Sequence, residues 1–203
     1  MPNNHWNEKT LSRDEQRQRK RMAVLKTGAR MFNERGFDRT SLVDIAAELN
    51  VSKRTLYYYV QNKDDILFQC SRLAIEFMGD EITKSQEASA PALQRIESLM
   101  RVYMDLLSNE FGSCLVLCKD DVLSKDSQDV LRQERVALDY RVRDLIKEGI
   151  KDGTIGLCDP KLATAAIFGA FNWVPYWHKT NDPHTYKDVA DQFLKIYIKG
   201  LQA

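Results

Sequence analysis

Between Ser41 and Tyr59 the chain sets two short helical runs almost end to end. Ser41 and Asp44 form a capping box, and Leu42, Ile45, Ala46 and Leu49 follow at helical spacing. The run stops at Asn50, a residue type that tolerates a left-handed backbone. Val51 then packs, and Ser52 stands as the N-cap of a second run over Lys53–Tyr59. Small Ala46 lets the two runs approach closely, with Val51 and Leu56 as the apolar wedge between them. This is the architecture of a helix-turn-helix, whose second helix enters the major groove of DNA. That helix presents Lys53, Arg54, Thr55, Tyr57 and Tyr58. Lysine and arginine pair with phosphates or guanine edges, and tyrosine hydroxyls donate to phosphates while their rings pack. An ordinary helical pair with a solvated basic face is the competing reading, but capping, spacing, charge and aromatic content agree on the DNA reader.

Charge is distributed accordingly. Residues 1–63 hold 13 Lys/Arg against 7 Asp/Glu, a net of +6, whereas residues 64–203 carry a net of −5. A basic front on an acidic body suits a front that meets a polyanion. The front also holds a basic arm, Arg13, Arg17, Arg19, Lys20 and Arg21, which reads either as a contact to DNA backbone or minor groove or as a solvated helix end.

The rest of the chain reads as all-α, with about nine helices. Gly and Pro together are only 14 of 203 residues, too few turn-formers for a many-stranded barrel or sandwich. A Ser12/Glu15 capping box opens a first helix that Gly36 stops, and Asn62 with Asp65 opens a longer one. Pro91 starts the run through Leu107, Gly112–Leu123 is a shorter apolar helix, and Ser127–Lys151 is long and highly charged. Asp159-Pro160 caps the segment ending at Trp177, and Thr185-x-x-Asp188 caps a last helix to Leu201. Residues 13–63 are expected to form the DNA-binding domain and 64–203 a helical ligand-binding and dimerisation domain.

Other chemistries find little support. The four cysteines form no CxxC pair and are expected to be buried thiols in a reducing compartment. The three histidines, His5, His178 and His184, make no metal-ligand spacing, so neither metal nor cofactor is expected. No nucleophile–base pair or Gly-rich phosphate loop suggests an enzyme. The longest uncharged stretch, Leu162–Trp177, has 16 residues and contains Asn172 and Pro175, short of a bilayer span. With no signal peptide at its front, the chain is expected in the cytoplasm.

Residues 23–67 resemble the DNA-binding domain of the TetR family of one-component bacterial regulators. The resemblance is carried by Ala29-Arg-Met-Phe-Asn-Glu-Arg-Gly-Phe37, Thr40-Ser41, Asp44-Ile-Ala-Ala47, Val51-Ser-Lys-Arg-Thr-Leu-Tyr-Tyr-Tyr59 and Asn62-Lys-Asp-Asp-Ile-Leu67. Two positions depart from the pattern: Asn50 stands where glycine is usual, and Val60 where phenylalanine is usual, leaving a smaller plug. The resemblance implies a homodimeric repressor that binds a palindromic operator in double-stranded DNA and is released by a small effector. It makes Lys53, Arg54 and Thr55 the base readers, and Tyr57 and Tyr58 residues near the DNA backbone. It makes Thr40, Ser41 and Lys63 phosphate contacts.

The same resemblance assigns the C-terminal helices to a ligand pocket and a subunit seam. Ala163, Ala166, Gly169 and Ala170 allow close helix packing, and Val189, Phe193, Ile196 and Tyr197 form an apolar stripe; both fit a seam and both fit packing within one chain. Asn172, Trp173 and Trp177 lie beside Pro175 and read as a pocket wall or an aromatic core. Met100, Tyr103 and Met104, with Met78 and Phe111, read as cavity lining or plain core. The segment 169–178 resembles one in family members that sense acyl-CoA thioesters, which implies an acyl-CoA effector with Arg135, Arg141 or Arg143 near its anionic part. An effector-independent DNA-binding protein of the same fold is the alternative, and a helical enzyme or carrier a remoter one.

Overall fold

The computed structural model describes residues 12–179 and 181–201; His5 lies outside the described residues. Among them, nine α-helices and one turn of 3-10 helix follow in order. These are α1 Arg13–Arg35, α2 Leu42–Glu48, α3 Lys53–Leu56, α4 Lys63–Glu87, α5 Ala92–Leu107 and α6 Glu110–Leu117. The 3-10 turn spans Asp120–Val122, before α7 Lys125–Asp152, α8 Pro160–Trp177 and α9 Tyr186–Leu201.

The helix starts follow the caps. Ser12 with Glu15 and Ser41 with Asp44 both form complete capping boxes. Asn62 accepts the Asp65 N–H at 2.7 Å, and Asp159 accepts those of Lys161 and Leu162, with Pro160 at the first helical position. Gly36 and Gly153 end α1 and α7 at φ 89° and 77°, conformations that disfavour any side chain.

Some boundaries differ from the sequence reading. The second helix of the motif ends at Leu56 rather than Tyr59: the Tyr58 and Tyr59 N–H groups reach back only three residues, to Thr55 and Leu56, so its last turn is tighter. The helix expected over Gly112–Leu123 is split. Asn109 caps the Phe111 and Gly112 N–H groups two residues earlier than expected, and the chain leaves helical geometry at Cys118. Helix α8 runs through Pro175 to Trp177, where the sequence reading ended it, and the His178 N–H closes it on the Val174 carbonyl at 2.9 Å.

Two apolar cores lie along the molecule. The first gathers Leu25 and Phe32 of α1, Ile45 of α2, Leu56 of α3 and Ile66 of α4. The second gathers Met78 and Ile82 of α4, Met100 and Met104 of α5, Leu145 of α7, Phe171 of α8 and Leu194 of α9. Helix α4 runs through both, and Phe111 and Leu115 of α6 pack against both. Cys70 and Cys114 are buried, while Cys118 and Cys158 are only partly covered. Among the described residues, no helix is long and apolar enough to cross a membrane.

Candidate nucleic-acid interface and effector cavity

The turn between α2 and α3 depends on Asn50. At φ 54° it is the one non-glycine residue with positive φ among the described residues, and it lets the Val51 N–H return to the Ala46 carbonyl at 3.0 Å. Leu56 and Val60 are buried beneath, so α3 is pinned by its apolar side. Its outer side carries Lys53 and Arg54, both exposed, with Tyr57 and Tyr58 in the turn that follows, 51% and 65% exposed. The Lys53 ammonium lies 5.8 Å from the Tyr57 ring centroid. Thr55 is half-buried and its hydroxyl pairs with Ser52 at 2.8 Å, so it is partly taken up in the cap.

Ser41 is exposed at the start of α2, where its hydroxyl accepts the Asp44 N–H and donates to the Asp44 carboxylate at 2.7 Å. Those bonds hold the Asp44 carboxyl below its ordinary range. Thr40 is placed otherwise than expected. It is 1% exposed, and its hydroxyl donates inward to the Gly36 carbonyl at 3.0 Å and the Met31 carbonyl at 3.3 Å. A phosphate contact through the Thr40 side chain is therefore corrected: the hydroxyl closes the turn after α1. Lys63 is half-buried at the start of α4. Its ammonium donates to the Phe37 carbonyl at 3.0 Å and lies 4.3 Å from the Phe37 ring, which ties α4 to the loop before α2. In the basic arm, Arg21 reaches Gln69 of α4 at 2.7 Å.

The second site is a partly open cavity of about 520 Å³ bordered by α4, α5, α6, α7 and α8. Its walls are mostly apolar, with Ile75, Met78 and Ile82 of α4, Leu115 and Val116 of α6 and Phe168 of α8, and Asp139 of α7, paired with Arg143, also lines it. Tyr103 and Asn172 both line it, and the Tyr103 phenol donates to the side-chain amide oxygen of Asn172. Burial pushes the Tyr103 phenol well above its ordinary range, with Arg135 drawing it back in part. Of the three candidate arginines only Arg135 lines the cavity, where it pairs with Asp120. Arg135 also borders an outer groove with Arg132, Asp120 and the paired Lys125 and Asp129. Arg141 is bound instead to the Gly79 carbonyl and Thr83 of α4, and Arg143 to Asp139. Among the described residues no cluster of three metal-ligating side chains occurs.

Five expected lining residues lie elsewhere, among them Phe111, which packs against both cores. Met100 and Met104 are fully buried in the second core and do not reach the cavity. Trp173 and Trp177 are on the outside of the protomer, 60% and 37% exposed, with Trp173 stacked on Tyr176 at 5.0 Å. They continue a face of α8 that also exposes Leu162, Ala166 and Gly169. The pocket-wall reading of the tryptophan pair is thus corrected: the face of α8 that turns inward carries Thr164, Phe168 and Asn172. Sequence reasoning missed Thr164, Phe168 and Tyr176, although the i, i+4, i+8 spacing with Asn172 was there to find.

Comparisons with known proteins agree with this geometry. Residues 24–70 match the family described as bacterial regulatory proteins, tetR family, and residues 89–201 match the tetracyclin repressor-like C-terminal domain. The fatty acid metabolism regulator protein of Bacillus subtilis (strain 168) is 24% identical over 203 residues, covering 92% of this chain and 97% of that one. The transcriptional repressor KstR2 of Mycobacterium tuberculosis is 22% identical over 193 residues, covering 90% and 92%. Its structure, described as a ketosteroid transcriptional regulator, superposes with a TM-score of 0.81 at 20% identity, covering 91% and 95%. AibR, solved in complex with isovaleryl coenzyme A and operator DNA, superposes with a TM-score of 0.77 at 21% identity, covering 87% and 96%. At these identities the structural likeness shows the fold.

Proposed function

The chain belongs to the TetR family of transcriptional regulators, and from that premise we propose that it is a homodimeric repressor released from a palindromic operator by an acyl-CoA thioester. It is a DNA-binding regulator and not an enzyme. It acts in the cytoplasm. Residues 13–63 form the DNA-binding domain, and 64–203 the effector and dimer domain. Lys53 and Arg54 read base edges, while Tyr57, Tyr58, Ser41 and Lys63 engage phosphates. The exposed face of α8, with Ala166, Gly169 and Trp173, meets its counterpart across a two-fold axis, so that two recognition helices reach half-sites one DNA turn, or a multiple, apart.

The observation that carries the effector reading is the position of the cavity against α4 and α6. Helix α4 lines it with Ile75, Met78 and Ile82, and at its other end Lys63 grips the loop before α2. Helix α6 lines it with Leu115 and Val116. At the start of α6, the Glu110 carbonyl accepts from Asn33 of α1 at 2.9 Å. An acyl group wedged among these residues moves both helices against α1 and swings the recognition helices out of register. The nucleotide part stays outside, beside Arg135, Arg132 and Lys125. Support for the CoA class comes from AibR, whose complex holds isovaleryl coenzyme A, and from Arg132 in a groove where Arg135 and Lys125 are paired with Asp120 and Asp129.

The ligand must bind the DNA-incompetent state more tightly, since equal affinity shifts nothing. A coupling of about 2–3 kcal/mol loosens the operator roughly 30–150-fold. Fluorescence anisotropy on operator DNA, titrated with acyl-CoAs, the matching free acids and unrelated aromatics, tests it. Release by CoA esters supports the reading. Release by free acids or cationic drugs alone overturns the CoA assignment and leaves the regulator.

A further inference from the structure

One buried side chain that lines the cavity has a polar atom without a hydrogen-bond partner among the described residues. Thr164 of α8 is 1% exposed and lines the cavity, and its Oγ1 is buried without a hydrogen-bond partner. A helical threonine has a ready partner in the carbonyl four residues earlier, but that bond is not made here. Buried hydroxyls without partners are rare in native proteins, and each calls for an occupant or a function.

Its position along the cavity is informative. Helices α4 and α7 run side by side in the same direction, with Glu134 bonded to Arg72 and Arg141 to Gly79 and Thr83. Arg135 therefore lies near the Ile75 level, and Ile82 lies toward the opposite end. Helix α8 runs the other way. The Tyr176 hydroxyl bonds to the Val116 carbonyl at 2.6 Å, and Asn172 accepts from Tyr103, whose phenol feels the Arg135 charge. Thr164 is eight residues before Asn172, about 12 Å along the helix axis. The free hydroxyl thus sits at the end of the cavity remote from Arg135.

We propose that Thr164 recognises an oxygen carried at the distal end of the effector's acyl group, so that the preferred ligand is an acyl-CoA with a hydroxyl or keto oxygen remote from its thioester. The inference rests on reading the cavity as an acyl-CoA site with the anionic part at Arg135. A plain saturated chain leaves the Thr164 hydroxyl unpaired, whereas a distal oxygen satisfies it and in turn has its own desolvation offset. Beside it the cavity presents Ile82 and Phe168, and Asp139, the carboxylate that also lines it, is engaged by Arg143, which leaves the threonine as the unpartnered group able to discriminate.

The test is calorimetric titration of the full chain with decanoyl-CoA and ω-hydroxydecanoyl-CoA, and with the two corresponding free acids. Wild type, Thr164→Val and Thr164→Ser are compared. Valine keeps the shape and removes the hydroxyl; serine keeps the hydroxyl. The wild type is expected to bind the oxygenated ester about tenfold more tightly, Thr164→Val to lose that preference while still binding decanoyl-CoA, and Thr164→Ser to retain it. Equal binding of both esters by the wild type, or a preference that survives Thr164→Val, overturns the inference and leaves the CoA reading intact. If only the free acids bind and the oxygenated one is preferred through Thr164, the CoA reading fails and the threonine's role stands. If no probe binds, both fail.

Discussion

The phenol of Tyr176 donates to the Val116 carbonyl at 2.6 Å, and this bond ties the aromatic end of α8 to the last turn of α6. Both residues line the cavity, so an occupant that spreads α6 from α8 acts on this contact directly. Tyr176→Phe removes the donor and leaves the ring stack with Trp173 in place. Operator affinity of the free protein is expected to stay within twofold of wild type. The effector-induced loss of affinity is expected to change by about fivefold, equivalent to a net hydrogen bond of about 1 kcal/mol. Anisotropy titrations with and without saturating effector read both quantities, and an unchanged ratio removes this bond from the coupling path.

At the DNA interface, Arg54→Ala is expected to relax sequence choice, costing about 1–3 kcal/mol on operator and little on random DNA if the guanidinium is bidentate to guanine. Tyr58→Ala weakens binding to all sequences alike, and Lys63→Ala lowers the salt slope by about one unit. Thr40 separates a phosphate contact from an internal brace. Because its hydroxyl bonds to the Gly36 and Met31 carbonyls, Thr40→Val is expected to cost about 1–3 kcal/mol of stability and to leave the salt slope unchanged. A lowered slope with unchanged stability would restore Thr40 to the interface.

Much of this was legible in the sequence because it is local. The Ser41/Asp44 box, the Asn62 cap and the left-handed Asn50 each involve residues within four positions of one another. Thr40 was misread because its local pattern fits equally a hydroxyl turned outward before a helix start and one turned back onto the Gly36 and Met31 carbonyls, four and nine residues earlier. Trp173 and Trp177 were misread for a different reason. Helix α8 is apolar almost all round, so periodicity does not say which face turns inward, and packing chose the one with Thr164, Phe168 and Asn172. The Tyr176–Val116 bond spans 60 residues, a separation that no local pattern encodes.

Acid should loosen the helix starts first. Bonds from Ser41 hold the Asp44 carboxyl below its ordinary value of 3.8, and those from Thr185 do the same for Asp188. A carboxyl depressed in the folded state contributes stability that is whole above its unfolded value and is lost as the pH falls through the folded one. Thermal unfolding followed from pH 7 down through the carboxylate range is therefore expected to show stability falling only below about pH 4 from these groups. Asp44→Asn should flatten its part of that dependence. An acid limb identical in the variant and in wild type refutes the assignment to Asp44.

The last expectation concerns the dimer. Gly169 has open space around it: a Cβ built there meets no atom within 4 Å. Ala166 is exposed one helical turn earlier, and Leu162 and Trp173 extend the same face. Within a protomer, a Cβ at 169 therefore overlaps no neighbouring side chain on this exposed face, and the change from glycine to leucine favours an already formed helix by up to about 1 kcal/mol. If two copies meet along this face, small residues at 166 and 169 set how closely the helices approach, and leucine at either position holds them apart. Light scattering is expected to give a dimer for wild type at micromolar concentration and a monomer for Gly169→Leu, with helical content and unfolding temperature of the isolated chain retained. The same variant should lose operator affinity steeply while keeping weak, salt-dependent binding to random DNA, because each recognition helix is intact and only their pairing is gone. A Gly169→Leu protein that stays dimeric and binds operator as wild type does moves the seam off α8.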